Sequence, residues 1–447
     1  MMIRKCVMTC ALVCLTAGAN VWACGEEKVV AADGDSGDIF GHAVAISGDR
    51  AIAGAPLDEA LGFNSGAAYI FRNEGGAWVQ EQKLLAFDGA TQEYYGWDVA
   101  ISGSTAVVAN PRKSGGRGAL YVYTRSGAVW SLQQKITTSD AAADDELGSA
   151  IAIEGDTIIA GAPGDDTGTG AVYVFTRTAG VWSQAAKVVA PDAAIFDNFG
   201  NAVALSGDSV VIGAYNDEDT IGAVYFFTGA GAAWSFEAKF TDGVGDYEVY
   251  FGSSVAIDGD TALVGENFRD VLTGVVHVYV RSGSVWSKQA TLAASDGAKE
   301  DEFGFSVALD GDTAIIGALR DDDAGSNAGC VFVFHRTGST WSQQAKFVPA
   351  NTNNAGNFGH DVVIEGQLVV ASAPRADDVG TDSGSVSMIS LTSCIADITA
   401  DQVVDGADLS AMLAAWGSSG SVADIEFNGT VDGGDLASLL AAWGPTN

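Results

Sequence analysis

One short pattern occurs seven times in this chain at a nearly constant spacing. Each copy opens with an aromatic residue or leucine followed by glycine and continues in the form FGxxVAIxGDxxIxGAP. Successive copies lie 52 or 55 residues apart. Such a period indicates one supersecondary unit stacked on copies of itself, so the fold is an array whose binding surface lies in its loops. The seven opening pairs are Phe40-Gly41, Tyr95-Gly96, Leu147-Gly148, Phe199-Gly200, Phe251-Gly252, Phe303-Gly304 and Phe358-Gly359.

The composition fits such an array. A chain of 447 residues is too long for one ordinary core, but each unit of an array packs only on its neighbours. With 57 glycines and 47% apolar residues, the chain is typical of turn-rich β-proteins. Its formal charge of −35 repels nucleic acid and anionic lipid, so we expect no nucleic-acid partner.

Residues 1–23 have the pattern of a secretory signal peptide. Arg4 and Lys5 precede an apolar stretch, and Val21-Trp22-Ala23 supplies a small-residue cleavage site. No other stretch approaches the length of a membrane span, so we expect no span. The pattern predicts a protein that is secreted, either extracellular or held at the cell surface.

The third unit shows the strand order within one repeat. LGSAIAIEGD gives a short strand and a turn, TIIAGAP gives a second strand, and GAVYVFTR alternates as a third. After Ala179-Gly180, VWSQAAKVVA gives a fourth. Four antiparallel strands in about fifty residues match one propeller blade. We therefore predict an all-β fold over residues 24–394, a seven-bladed β-propeller.

The two ends of this region are expected to meet. Six units carry a tryptophan on the fourth strand, but the seventh unit stops after its third strand at 383–391. EKVVAADGD at 27–35 resembles the fourth-strand segment QKLLAFDGA at 82–90, so residues 26–32 should complete the last blade and remove an open edge. This pairing would bring Cys24 and Cys394 within disulfide reach. Lipidation of Cys24 is the alternative to this disulfide. The remaining cysteine, Cys330, is expected to be a buried thiol.

The repeated units resemble the FG-GAP repeats of integrin α-subunit heads, especially the short bacterial version, over about residues 26–392. The resemblance implies a seven-bladed propeller. Calcium-binding blades of that family carry an aspartate-rich cage between the first two strands. Here that connection is as short as Ser47-Gly48-Asp49 or Asp310-Gly311-Asp312, too short for such a cage. We expect these aspartates to form turns by bonding to local backbone.

A second set of acidic residues follows the GAP position of most units. On equivalent loops they would line one face of the disc, either as solvated charge, which is the simpler interpretation, or as a cation-binding or ligand-binding face. The second unit breaks the pattern with Arg112 and Lys113. The acidic sets are Asp58-Glu59, Asp165-Asp166, Asp217-Glu218-Asp219, Asp321-Asp322-Asp323 and Asp377-Asp378.

The C-terminal residues 395–447 contain a duplication with an offset of 27 residues. Each copy is an oxygen-rich loop that runs into a short helix rich in leucine and alanine, and its intervals are those of a calcium loop. We predict two calcium sites. The first uses Asp397, Thr399, Asp401, the carbonyl of Val403, Asp405 and Asp408. The second uses Asp424, Glu426, Asn428, the carbonyl of Thr430, Asp432 and Asp435.

This duplicated loop–helix pattern resembles a type I dockerin, particularly the short form that ends in AAWG. The resemblance implies a small α-helical domain that folds on binding calcium and attaches its carrier to a cohesin on a scaffold or cell surface. Gly406-Ala407 and Gly433-Gly434 stand where cellulosomal dockerins often carry polar contact residues, so a familiar cohesin is not implied. The alternative is a calcium-stabilised end cap without a partner.

No catalytic motif stands out. His42 and His360 follow the FG pair in the first and seventh units, so they should be neighbours near the ring axis, but neither has a nucleophile or a paired base beside it. The six fourth-strand tryptophans could be carbohydrate platforms, yet their repetition favours packing. We expect a non-enzymatic protein whose propeller loops bind a protein or glycan and whose tail docks to a cohesin-like partner or surface scaffold. The alternative is a polysaccharide-degrading enzyme or its accessory module.

Overall fold

The structure is a computed structural model that describes residues 21–22, 26–242, 249–348 and 356–391. In the tail it describes residues 403–404, 406–418, 423, 425, 431–442 and 444–445. Seven antiparallel sheets, each with four strands of the propeller, account for residues 26–391, and each sheet is one blade. The predicted seven-bladed all-β architecture is confirmed.

The chain begins with β1 (Val21–Trp22) and β2 (Glu26–Val29). Blade I contains β3 (Val44–Ser47), β4 (Arg50–Ala55), β5 (Ala67–Glu74) and β6 (Ala77–Leu84). Blade II contains β7 (Val99–Ser102), β8 (Thr105–Asn110), β9 (Ala119–Ser126) and β10 (Val129–Ile136). Blade III contains β11 (Ile151–Glu154), β12 (Thr157–Ala162), β13 (Ala171–Thr178) and β14 (Val181–Val188). Blade IV contains β15 (Val203–Ser206), β16 (Ser209–Ala214), β17 (Ala223–Ala230) and β18 (Ala233–Phe240).

Blade V contains β19 (Val255–Asp258), β20 (Thr261–Glu266), β21 (Val275–Ser282) and β22 (Val285–Leu292). Blade VI contains β23 (Phe303–Asp310), β24 (Thr313–Ala318), β25 (Cys330–Thr337) and β26 (Thr340–Phe347). Blade VII contains β27 (Val362–Glu365), β28 (Leu368–Ala373), β29 (Ser385–Ser390) and the N-terminal β2. Single helical turns lie between the second and third strands of blades II to V, at α1 (Lys113–Gly116), α2 (Asp165–Gly168), α3 (Asp217–Thr220) and α4 (Arg269–Leu272).

The glycines of the repeat allow neighbouring blades to approach closely. The FG glycine donates its N–H to the GAP position of its own blade, as Gly200 does to the Gly213 carbonyl at 2.9 Å. Its carbonyl then lies against the GAP glycine of the preceding blade. A Cβ atom on Gly161 would overlap the Gly200 carbonyl oxygen. The same overlap would arise at Gly54, Gly213, Gly265 and Gly317.

Two junctions lack this glycine and are connected differently. Ala109 in blade II and Ser372 in blade VII occupy the GAP-glycine position. In those two blades an aspartate lies on the connection that leads into the first strand. Its side chain forms a hydrogen bond to the backbone of the next blade. Asp98 accepts the Ile151 N–H of blade III at 2.6 Å. Asp361 of blade VII accepts the Val44 N–H of blade I at 2.7 Å.

A circle of hydrogen bonds joins the turns between first and second strands. In each case a side chain of one turn accepts the glycine N–H of the next turn, at 2.5 to 3.1 Å. All seven junctions have this bond, including the one between blade VII and blade I. The donors are Gly48, Gly103, Gly155, Gly207, Gly259, Gly311 and Gly366. The ring is therefore closed.

The N-terminal strand closes blade VII as the sequence predicts. β2 pairs antiparallel with β29, with Glu26 opposite Ile389 and Val29 opposite Val386, although it is shorter than the predicted 26–32. Lys28 pairs with Asp378 of the same blade at 3.1 Å. Cys24 and Cys394 lie outside the described residues, so their bond stays a prediction. Cys330 is a buried free thiol, as predicted.

The two outermost described segments are short. β1 pairs parallel with β26 at the edge of blade VI, just before the predicted cleavage site. In the tail, β30 (Val403–Val404) pairs with β31 (Gly444–Pro445), and α5 (Gly406–Ala415) contacts α6 (Gly433–Ala441). Among the described residues, no helix is long and apolar enough to cross a bilayer.

We predict that the close approach between blades tolerates no side chain at Gly161. Gly161→Ala should lower the free energy of unfolding by about 3 kcal/mol, because the new Cβ meets backbone that cannot move away. Gly297→Ala is the matched control, since its Cβ would meet no atom closer than 3.3 Å. Urea denaturation checks the difference. Equal stability of the two variants would contradict the packing argument.

We also predict that the aspartate junctions make the ring less stable at alkaline pH. Burial raises the pKa of Asp98 to about 8, helped by the charge of Asp361, and burial raises that of Asp361 to about 7. An aspartate in the unfolded chain ionises near pH 4, so the folded state holds more protons between pH 4 and 8. Stability should therefore fall as pH rises through this window.

Thermal unfolding at pH 5 to 9 tests this expectation. The melting temperature of the natural chain should fall by several degrees across the range, whereas Asp98→Asn combined with Asp361→Asn should melt lower but with a flatter profile. Asp166→Asn, on an exposed loop, should keep the natural slope. A flat profile for the natural chain would rule out the proposed titration.

Candidate functional site

A cavity of about 850 Å³ lies at the ring axis. It is on the face formed by the loops between the second and third strands. Its wall comes from blades VI, VII, I, II and III. Among the described residues, blades IV and V supply none to the lining. At equivalent positions they carry Tyr215, Tyr250 and Phe268, which pack edge to face with centroids 5.5 and 4.8 Å apart.

Three positions of the repeat supply most of the wall. The residue before the FG pair has a left-handed backbone in all seven blades, with φ between 49° and 59°. This conformation is costly for residues other than glycine. The residues at this position that line the cavity are Ile39, Tyr94, Glu146, Glu302 and Asn357. The residue after the FG pair contributes His42, Trp97, Ser149, Phe305 and His360, and the residue after GAP contributes Leu57, Arg112, Arg320 and Arg375.

Four aromatic rings form an arc along this wall. The centroids of Trp97 and His42 are 4.5 Å apart, those of His42 and His360 are 5.2 Å apart, and those of His360 and Phe305 are 5.3 Å apart. The predicted neighbourhood of the two histidines is thus confirmed. We call Trp97, His42, His360 and Phe305 the aromatic arc. It runs through blades II, I, VII and VI and exists only because the ring closes.

Both histidines of the arc are held neutral. Burial lowers the pKa of His42, whose Nδ1 lies 2.8 Å from the Trp97 carbonyl oxygen. Burial and the neighbouring His42 lower the pKa of His360 to about 3, and the charge of Arg375 adds to this effect. Within the described parts of the chain, His360 Nδ1 is buried without a hydrogen-bond partner.

The cavity carries three arginines and three glutamates. Arg112 pairs with Glu146 at 2.8 Å, and Arg320 lies 3.1 Å from Glu302. Burial raises the pKa of both glutamates, whereas the arginines lower it. The lining therefore has no net charge, in contrast to the acidic chain as a whole.

The acidic residues after GAP do not line an open face as a group. In blades I, III, IV and VI the first of them is buried and accepts hydrogen bonds from a lysine on the fourth strand. In each case this lysine also contacts an aspartate on the connection that enters the blade. We call each such group a blade lock. The locks are Asp58–Lys83–Asp33, Asp165–Lys187–Asp140, Asp217–Lys239–Asp192 and Asp321–Lys346–Asp296.

The prediction that these residues are solvated loop charge was therefore wrong for the first aspartate of each lock. Sequence reasoning missed the lysines, although their spacing follows the repeat. In blade II a lysine, Lys113, stands at the aspartate position and binds Glu93 at 2.8 Å, whereas the fourth-strand Lys135 still binds Asp88 at 2.7 Å. Of the two basic residues that break the acidic pattern, Arg112 therefore lines the cavity and Lys113 belongs to the lock.

Blade V holds a variant of the lock. Glu266 and His277 are buried and lie 2.7 Å apart, and Asp242 is beside them. Among the described residues, these three form the one group with metal-ligand chemistry. However, Arg269 contacts both carboxylates, as the lysine does in other blades. The group is an ion-pair cluster, and we assign no metal to it.

The aspartates at the turns also differ from expectation. Instead of bonding local backbone, several accept hydrogen bonds from an arginine on the third strand, as Asp156 does from Arg177 at 2.6 Å. That arginine stacks over the fourth-strand Trp182, 4.9 Å from the ring centroid. Trp182 is only 2% exposed. The fourth-strand tryptophans are packing residues, as predicted, rather than open carbohydrate platforms.

Most residues of the predicted calcium loops lie outside the described residues, namely Asp397, Thr399, Asp401, Asp405, Asp424, Glu426, Asn428 and Thr430. The backbone of Val403 lies in β30. Asp408 and Asp435 are described and fully buried at the start of α5 and α6, where the loops were predicted to end. Asp432 caps α6 by accepting the Gly434 N–H at 2.8 Å.

Comparison with known families agrees with this geometry. Seven segments match the FG-GAP repeat family and together cover more than half of the chain, at 25–71, 78–123, 130–175, 182–227, 234–280, 286–334 and 341–389. The chain belongs to the FG-GAP repeat family. Six of the seven segments begin on the fourth strand of one blade and end on the third strand of the next. The first segment begins at residue 25, immediately before β2. A search of curated proteins found no match.

We predict that the lock of this FG-GAP protein is most important in blade VI, where the Lys346 and Asp321 side chains are 1% and 3% exposed. Lys346→Met should lower the free energy of unfolding by about 3 kcal/mol, because it leaves a buried carboxylate without its cation. Lys288→Met is the control, since that lysine is 41% exposed and 3.7 Å from Asp242. Urea denaturation measures both. Similar stabilities would show that the lock is dispensable.

Proposed function

We propose that this protein is a secreted, non-enzymatic binding protein of the FG-GAP family. Its axial cavity binds a glycan, and its calcium-loaded tail docks to a cohesin-like partner or a surface scaffold. The observation that carries this proposal is the aromatic arc in an open cavity. The predicted signal peptide supports export, which is the location that such a role requires.

The cavity has the features of a carbohydrate site. Trp97 is 37% exposed, although large aromatic side chains in this ring are otherwise mostly buried. Flat aromatic faces stack on the C–H faces of pyranose rings, and the ion-paired Arg112 and Glu146 offer planar donors and acceptors for hydroxyl groups.

The tail supports a docking role through its acidic residues. Asp408 and Asp435 are buried at the twelfth position of their loops, which is the position of a carboxylate ligand in a calcium loop. With Asp432 and the Val403 carbonyl, they would hold calcium together with the loop residues named above. Calcium would supply the binding energy that orders the loops, and the two helices would present the surface for a cohesin-like partner.

Hydrolysis of a polysaccharide is the second candidate function. It is favoured by one observation, namely that the cavity holds Glu146 and Glu302, whose pKa values are both raised by burial. A glycosidase needs two carboxylates with different protonation states across the scissile bond. Here each glutamate faces an arginine, which favours the ionised form of both, so binding is the better supported function. Release of reducing sugar that Glu302→Gln abolishes would favour hydrolysis.

Two variants of the full chain test the proposal and serve as controls for each other. Trp97→Ala should abolish binding to a panel of immobilised oligosaccharides, yet it should leave calcium binding near two ions per chain in calorimetry. Asp435→Asn should lose at least one of these ions and keep glycan binding. If Trp97→Ala bound every glycan as well as the natural chain, the cavity would not be the binding site.

A further inference from the structure

We infer that the axial cavity selects glycans that carry a carboxylate, that is, oligosaccharides containing uronate residues, with Arg375 as the group that binds the carboxylate. This inference rests on the proposed function, because it concerns the same cavity. It adds the chemical class of ligand and the residue that determines specificity.

Arg375 differs from the other two arginines of the cavity. Arg112 and Arg320 each have a glutamate at ion-pair distance. In the parts of the chain that the structure describes, no carboxylate lies within such distance of the exposed Arg375. A guanidinium without an anion can accept a bidentate carboxylate, and its fork geometry suits a planar acceptor.

An unpaired cation is unexpected in a chain with so many acidic residues. The protein has 57 acidic and 22 basic residues, and four of its ten lysines are engaged in blade locks. An arginine without a partner on such a surface would ordinarily attract one of the many neighbouring carboxylates. Within the described residues, Arg375 instead lines the cavity without an ion-pair partner, whereas Arg112 and Arg320 are each paired with a glutamate.

His360 provides a second group for the same ligand. It lies on the same wall, close enough to Arg375 for that charge to lower its pKa. Its Nδ1 is buried without a partner within the described residues. The imidazole already hydrogen-bonds the His42 backbone, and Nδ1 is not exposed to the cavity, so His360 contributes its ring face to the ligand rather than a hydrogen bond.

The aromatic arc positions the sugar that carries the carboxylate. His360 is the third ring of the arc, and Trp97 and Phe305 stand at its two ends. A pyranose stacked on the arc would therefore hold its equatorial carboxylate beside His360 and Arg375. A sulfate ester carries the same single charge, so the planar match between guanidinium and carboxylate is what favours the uronate.

The test uses calorimetry with the full chain and a short oligogalacturonate as the probe. The matched ligand is the same oligosaccharide with its carboxylates methyl-esterified, which keeps the sugar but removes the charge. We expect the free acid to bind at least about tenfold more tightly than the ester, because a charge-assisted pair is lost. Arg375→Gln should bring the two affinities together. Arg117→Gln, an exposed arginine outside the cavity, should keep the difference.

The outcomes separate this inference from the proposed function. Equal binding of acid and ester by the natural chain, or undiminished preference in Arg375→Gln, would overturn the inference while leaving a glycan-binding cavity. Tighter binding of a sulfated oligosaccharide than of the oligogalacturonate would also overturn it. Unchanged thermal unfolding of Arg375→Gln shows that any loss comes from the missing cation. Failure of Trp97→Ala to weaken any glycan would instead remove the proposed function itself.

Discussion

The contact on which the rest of the structure depends is the approach of one blade's FG carbonyl to the GAP glycine of the preceding blade. At this distance no Cβ fits on Gly161, and a Cβ on Gly200 would meet the Ala171 carbonyl oxygen at 2.7 Å. The two exceptions support the same argument. Where Ala109 and Ser372 add a side chain, Asp98 and Asp361 supply a hydrogen bond across the junction instead. Each junction is therefore held either by close backbone packing or by the hydrogen bond of a buried aspartate.

Some of the acidic residues of the chain have a structural role that its net charge does not show. Buried aspartates of the blade locks join three separate segments of a blade through one lysine, as Asp321 and Asp296 do through Lys346. Such a buried pair contributes little to net stability compared with an apolar core, but its geometry is directional. It fixes the loop that follows GAP, and that loop carries the cavity residues. The residues that hold the ring together thereby also position the wall of the site.

Much of the fold could be predicted from the sequence because the repeat constrains it so strongly. The strand order, the closing role of residues 26–29 and the neighbourhood of His42 and His360 all follow from seven equal units in a closed ring. The blade locks were missed because the acidic loops were considered without the fourth strands, where Lys83 and Lys187 repeat with the same period. The aromatic arc could not be predicted in this way. Its members differ in type from blade to blade, and only ring closure brings Phe305 and Trp97 to one cavity.

The pairing of β2 with β29 also determines the order of events during synthesis. The strand β2 must wait for the last blade, some 350 residues later, before its partner exists. Until then the growing chain is an open arc with an unpaired edge at each end. The short β2, with Glu26, Glu27 and Lys28 among its four residues, is poorly suited to pairing with a foreign strand. A chain interrupted before blade VII would therefore keep β2 without its partner strand.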